Sequence, residues 1–241
     1  MNQEASLTGL SSIRWSATNH IGELILNRPP SNEMNAVFFE ELDRLLPYAT
    51  TRKDLLGIIV SGAGRHFSSG MALDELLKNI TVSEISDHPG DKKDHVLLQN
   101  YRSFLRLKAT PIPVVAAIRG VCLGSAFELA LLCHFRICTP EAVFGLPETT
   151  FNLMPGLGGI RRMSELAGKA HAIELILHGN TFSAEEALAM NLVDAIVPKN
   201  ELHETAASFI RKISENYRKE KRPLYLTRYL RHHGTAEDTT L

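Results

Sequence analysis

Apolar residues along this chain switch between short unbroken runs and runs spaced at three and four. Ile21–Leu26 reads as a strand, closed by the turn signal Asn27-Arg-Pro-Pro30. Residues Asn35–Leu46 then carry apolar side chains at helical spacing, and Leu55–Val60 is a buried strand ended by Ser61-Gly-Ala-Gly64. A helical run covers Val96–Lys108, Pro113–Ile118 is a second buried strand, and a helix is expected from Gly124 to Cys133. Phe135–Cys138 and Ala142–Phe144 look like short strands. Beyond Pro155-Gly-Leu-Gly-Gly159 the pattern is mostly helical: Ile160–Ala167, Ala170–Leu177, and Ala184–Asn191 with Ser183 as its cap. Asp194–Val197 reads as a short strand and Leu202–Tyr217 as a further helix. Strands alternating with helices in this way predict β-α-β units with crossover helices. The polar stretch Ile80–Asp94 is the best candidate for a loop over a site.

Composition narrows the class. The chain has 241 residues, enough for one large domain or one domain with a helical appendage, with 44% hydrophobic and 22% charged residues. A net charge of −1 supplies no global field toward nucleic acid or anionic membrane. The start, Met1-Asn-Gln-Glu-Ala-Ser6, has no basic and apolar signal pattern, and no apolar run is long enough to span a bilayer. Three cysteines, Cys122, Cys133 and Cys138, lie in apolar sequence without paired zinc spacing. They read as buried thiols in a reducing compartment, so a cytoplasmic location is expected. No HExxH occurs, and Pro155–Gly159 lacks dinucleotide-binding spacing, so neither a metal nor a bound cofactor is expected.

Two carboxylates stand out against this background. Glu128 lies in Gly120-Val-Cys-Leu-Gly-Ser-Ala-Phe-Glu-Leu-Ala-Leu-Leu-Cys133, and Glu148, twenty residues later, lies in Gly145-Leu-Pro-Glu-Thr149. Burying such a charge costs several kcal/mol unless it is paired or protonated. Two of them converging on one pocket would form an acid/base pair able to hold and activate a water.

Four motifs, in order, resemble the enoyl-CoA hydratase/isomerase (crotonase) superfamily over roughly residues 20–200. They are Asn27-Arg-Pro-Pro-Ser-Asn-Glu-Met34, Arg65-His-Phe-Ser-Ser-Gly-Met-Ala-Leu-Asp-Glu-Leu76, Gly120–Cys133, and Gly145–Glu148 followed by Met154–Arg162. The resemblance implies an α/β, crotonase-like spiral of β-β-α units with a core over residues 1–200. It also implies a helical C-terminal segment over 201–241 that is shorter than usual. Trimers or hexamers, an acyl-CoA thioester as substrate (or the same thioester on an acyl-carrier protein), and coenzyme A as part of that substrate follow from the same likeness. No membrane or nucleic-acid partner is expected.

By motif position, the backbone N–H groups of Met71 and Ser125 would hold the thioester oxyanion, with Ser69, Gly70, Ala72, Leu73 and Gly124 shaping the binding site. Glu128 and Glu148 match the hydratase pair: Glu128 is expected to activate water and Glu148 to protonate the α carbon. Hydration therefore leads, and bond migration by an isomerase comes second. A non-catalytic role on the same fold, binding RNA or serving as a scaffold, is the remaining alternative. The chain departs from the family pattern at Ala72, where an acid is common, at His134, usually Asp, and at Ser125-Ala126, usually glycine. Segment 211–233 holds eight basic residues (Arg211, Lys212, Arg218, Lys219, Lys221, Arg222, Arg228, Arg231) against Glu215 and Glu220. These are candidates for contact with CoA phosphates or an acidic carrier, or a solvated helix face.

Overall fold

The computed structural model describes residues 9–72, 75 and 92–220. Leu73, most of the Ile80–Asp94 stretch and residues 221–241 lie outside the described residues. Chain order is β1 (Ile13–Thr18), β2 (Ile21–Leu26), α1 (Ala36–Thr51), β3 (Gly57–Gly62), α2 (Lys92–Lys108), β4 (Val114–Ile118), β5 (Val121–Leu123) and α3 (Ser125–Leu132). There follow β6 (Phe135–Cys138), β7 (Val143–Gly145), a 3-10 helix (Pro147–Phe151), α4 (Gly159–Ala167) and α5 (Lys169–His178). The last elements are β8 (Phe182–Ser183), α6 (Ala184–Ala189), β9 (Ala195–Ile196) and α7 (Leu202–Glu220).

One sheet runs β1-β2-β3-β4-β6-β9, parallel except for the β1–β2 hairpin at its edge. Its inner strands β3 and β4 are apolar runs because both faces are covered. Side chains alternate between the faces. Ile58, Val60, Val114, Ala116 and Ile118 join the main core with α1, α2 and α3. Ile59, Val115, Ala117 and Ile137 face Ala206, Ala207 and Ile210 of α7.

After leaving this sheet, the chain from β2, β3, β4 and β6 enters a second, shorter ladder. Met34 bridges Met71, Ser68 bridges Cys122, β5 pairs with β7, and β7 pairs with β8. A long strand, a short strand and a helix thus form one turn, and successive turns stack into a spiral of β-β-α units rather than a flat doubly wound sheet. Three strands escaped the sequence pattern: β1, β5 and β8. The expected strand at 55–60 sits two residues later, and α2 begins at Lys92, inside the stretch expected to be loop. Among the described residues no helix is long and apolar enough to cross a membrane.

Candidate active site

Helix α3 is the centre of the site. All eight of its residues are buried, as its apolar sequence requires, and it packs under the spiral instead of on its surface. Gly124 precedes it with φ 55 and ψ −132, a conformation that a side chain would strain. The Gly124 N–H donates to the Gly145 carbonyl at 2.9 Å, which brings the start of α3 against the end of β7. Three residues after Gly145 comes Glu148. A Cβ on Gly124 would fall 3.2 Å from Glu148 Oε1, so the absent side chain is what lets that carboxyl lie against the helix start.

Glu128 sits one turn into α3 and is 1% exposed. Its Oε1 accepts the backbone N–H groups of Leu157 and Gly159, each at 2.8 Å. The loop Pro155–Gly159 leads into α4 at Gly159 and grips the first glutamate. These two amide donors were missed in the sequence, and the Gly-Leu-Gly-Gly run before α4 was the signal for them. Burial, joined by the negative charge of Glu148, pushes the Glu128 carboxyl up to about 8 against those two amides. Burial also raises Glu148 to about 7, and its Oε2 is buried with no hydrogen-bond partner among the described residues. The two acids therefore interact electrostatically and share the start of α3 between them.

The segment Ser68–Ala72 lies alongside. Gly70 has φ +95, and a Cβ there would fall 2.6 Å from the Leu123 carbonyl oxygen and 3.4 Å from the Ser125 nitrogen. Gly70 thus brings residues 70–71 directly against 123–125. The bridge to Met34 uses the Gly70 carbonyl and the Ala72 N–H, both at 2.9 Å, so it leaves the Met71 N–H directed to the other side of the segment. Ser125 opens α3, where a backbone N–H precedes the intrahelical ladder. Its hydroxyl donates to Met34 Sδ at 3.7 Å, a weak acceptor. Ser69 is exposed and donates its N–H to Ser31, whereas Ala72 is buried in the core; Leu73 lies outside the described residues. Beside Met71, between α1 and α2, is a cavity of about 230 Å³ lined by Met34, Phe39, Glu75, Gln99 and Asn100 among others, and Glu128 and Glu148 do not line it.

At the far end of α3 two arginines meet its last carbonyls. Arg136 donates to Cys133 at 2.7 Å and reaches Asp194, and Arg162 donates through Nε to Leu131 at 3.0 Å. Cations there complement the helix dipole, whose positive end lies at Gly124 beside Glu148. His134 accepts the Val114 N–H through Nδ1 at 3.0 Å. Burial lowers it to about 4, so it stays neutral and can serve as the acceptor that an Asp would otherwise supply. Of the basic tail, Arg211 pairs with Glu204, and residues from Lys221 onward lie outside the described residues.

Comparison with known proteins points the same way. The family profile described as Enoyl-CoA hydratase/isomerase matches residues 16–233. A probable enoyl-CoA hydratase of Bacillus subtilis (strain 168) is 32% identical over 185 residues, covering 76% of this chain and 68% of that protein. The crystal structure of an enoyl-CoA hydratase from Bacillus anthracis is 32% identical with a TM-score of 0.77, covering 92% of this chain and 81% of that one. An enoyl-CoA hydratase structure from Geobacillus kaustophilus HTA426, at 23% identity, shares the fold with a TM-score of 0.80 over 94% of this chain and 87% of that one. With this match spanning the spiral and both glutamates, the chain belongs to the enoyl-CoA hydratase/isomerase family and has its crotonase fold.

Proposed function

We propose that this protein adds water across the double bond of a 2-enoyl thioester, or removes it in reverse. The observation that carries the reading is the pair of electrostatically linked glutamates at the start of α3, one of which keeps a buried, unpartnered oxygen. In this reading the thioester oxygen lies between the N–H groups of Met71 and Ser125, whose residues Gly70 and Gly124 bring together. As the β carbon is attacked, negative charge moves onto that oxygen, and two aimed amides stabilise it by roughly 3–4 kcal/mol each. Glu128 takes a proton from a water held between the acids, the water oxygen bonds to the β carbon, and Glu148 gives its proton to the α carbon. Water thereby supplies both the hydroxyl and, through the acids, the proton that resets them.

The chemistry needs one acid protonated and the other ionised. Both carboxyls titrate near neutrality, at about 8 and about 7, so the pair holds a single proton over that range. Moving this proton from Glu128 to Glu148 costs about 1.4 kcal/mol per unit of difference, small beside a catalytic barrier. The substrate class follows from the family, with CoA and a carrier protein presenting the same thioester. A reducing compartment is supported by three buried free cysteines, and self-assembly by apolar side chains exposed around α5.

The test is to incubate the protein with a short 2-enoyl-CoA in heavy-oxygen water and follow the enoyl-thioester absorbance. Label in a 3-hydroxyacyl product supports hydration. Migration of the double bond without label selects isomerisation. RNA retardation with every thioester unchanged would reject the enzyme reading.

A further inference from the structure

The loop that grips Glu128 is itself held in place by a buried arginine. Helix α4 starts at Gly159, whose N–H bonds Glu128, and Arg162 follows one turn in at 5% exposure. Arg162 Nε donates to the Leu131 carbonyl at 3.0 Å, on the same helix that carries Glu128 three residues earlier. Its other arm meets Glu165 at 3.0 Å. Helices α3 and α4 are therefore joined twice, once through Glu128 and once through Arg162. Between the two amide donors, Gly158 has φ +96, and a Cβ there would fall 2.6 Å from the Tyr101 ring. Tyr101 thus packs on the loop from α2, and any drift of α4 would have to move the loop against that ring.

Building on the hydration reading, we propose that Arg162 is a positioning residue: by tying α4 to the Leu131 carbonyl it keeps the Leu157 and Gly159 amides aimed at Glu128. The planar guanidinium suits this task because one group reaches a carbonyl and a carboxylate in fixed directions. The charge acting on Glu128 is that of Glu148 from the 3-10 helix, while Arg162 faces Glu165 on α4 itself, Arg136 on β6, and Asp194, which pairs with Arg136; His134 between α3 and β6 is neutral. Loss of Arg162 loosens the two amide hydrogen bonds to the carboxylate. Weaker amide donation disfavours the ionised form of Glu128, so its titration moves to higher pH.

The experiment compares wild type with Arg162→Gln and Arg162→Lys. The Glu128 carboxylic acid band is followed by infrared spectroscopy of protein labelled with ¹³C-glutamate, and is assigned by its loss in Glu128→Gln. Arg162→Gln is expected to lower kcat about tenfold or more with KM within about twofold, and to shift the band's titration upward. Arg162→Lys, which keeps a charge and a donor, is expected to restore most of both. A folded Arg162→Gln protein with wild-type kcat and an unmoved band overturns the proposal. If that variant fails to fold, Glu165→Gln, which releases one arm of the guanidinium, replaces it. A smaller upward shift then supports the proposal, and no shift overturns it. Because the band is read without substrate, a shift in a protein lacking hydratase activity would retain this inference while ending the hydration reading.

Discussion

Buried acids in this chain serve two different ends. Glu41, 3% exposed, accepts the N–H groups of Ser11, Ser12 and Ile13 and the Ser11 hydroxyl, and so stitches the start of β1 to α1. Glu128 is as deeply buried, but its two amide donors share one oxygen and a second carboxylate lies near. Both are glutamates in helical, apolar sequence; periodicity cannot separate them, and only the motif around Gly124 singled out Glu128. Replacing Glu148 by Gln removes the proposed proton donor, and hydration should fall by about 10²–10⁴-fold in the absorbance assay. In the wild type, the rate should rise and fall around the two values near 7 and 8, as a property of the pair. Stability carries a separate signature. The folded-state value of about 8 lies above the ordinary 4.5, so the folded protein binds this proton more tightly than the unfolded chain. Stability linked to Glu128 is thus complete below about pH 4.5, declines up to about pH 8, and is flat beyond. Glu128→Gln keeps an oxygen for both amides and never ionises. Its melting temperature, by calorimetry, should match wild type near pH 4.5 and exceed it by several degrees above pH 8.

Secondary-structure elements supply the spacing that these acids need. Gly159 is helical, so alanine is permitted by its backbone, yet a Cβ there falls 2.7 Å from Glu128 Cγ and 2.9 Å from its Oε1. Gly159→Ala should lower stability by about 1–3 kcal/mol in denaturant titration and hydration by at least about tenfold, by pushing the carboxyl off its amides. Wild-type activity in that variant would deny the loop its role. Elements were read from sequence where periodicity ran long enough: β2, β4 and β6 were found within a residue of their ends, and α1 was found but runs on to Thr51, past its expected end at Leu46. Strand β5 has three residues between two glycines, too few to show a period. Strand β1 went unnoticed because its hairpin turn is Asn19-His20, both at positive φ, where Asn-Gly is the familiar signal. β8 has two residues and is defined only by its pairing with β7. Short strands of this kind exist because a neighbour offers unpaired backbone, which the local sequence does not display.

Across the whole molecule, α5 and the 3-10 helix, linked by the Thr149 hydroxyl to the Ile176 carbonyl, leave Phe151, Met154, Ile173 and Leu177 49–65% exposed. Apolar groups gathered on neighbouring elements favour association. Ile173→Glu combined with Leu177→Glu should convert an oligomer to a monomer in light scattering at unchanged helix content. A wild-type protein that already runs as a monomer would overturn that expectation. The sequence alone determined the alternation of strands and helices, the family, and the two acids at Glu128 and Glu148, because each is written in local runs or short motifs. The tertiary structure alone decided that the Gly159 amide, 31 residues away, ends on Glu128, that Gly124 admits Glu148, and that Arg162 spans two helices. Those facts depend on how the spiral stacks its turns, and the direction of a hydrogen bond across a buried interface exists only once both sides are packed.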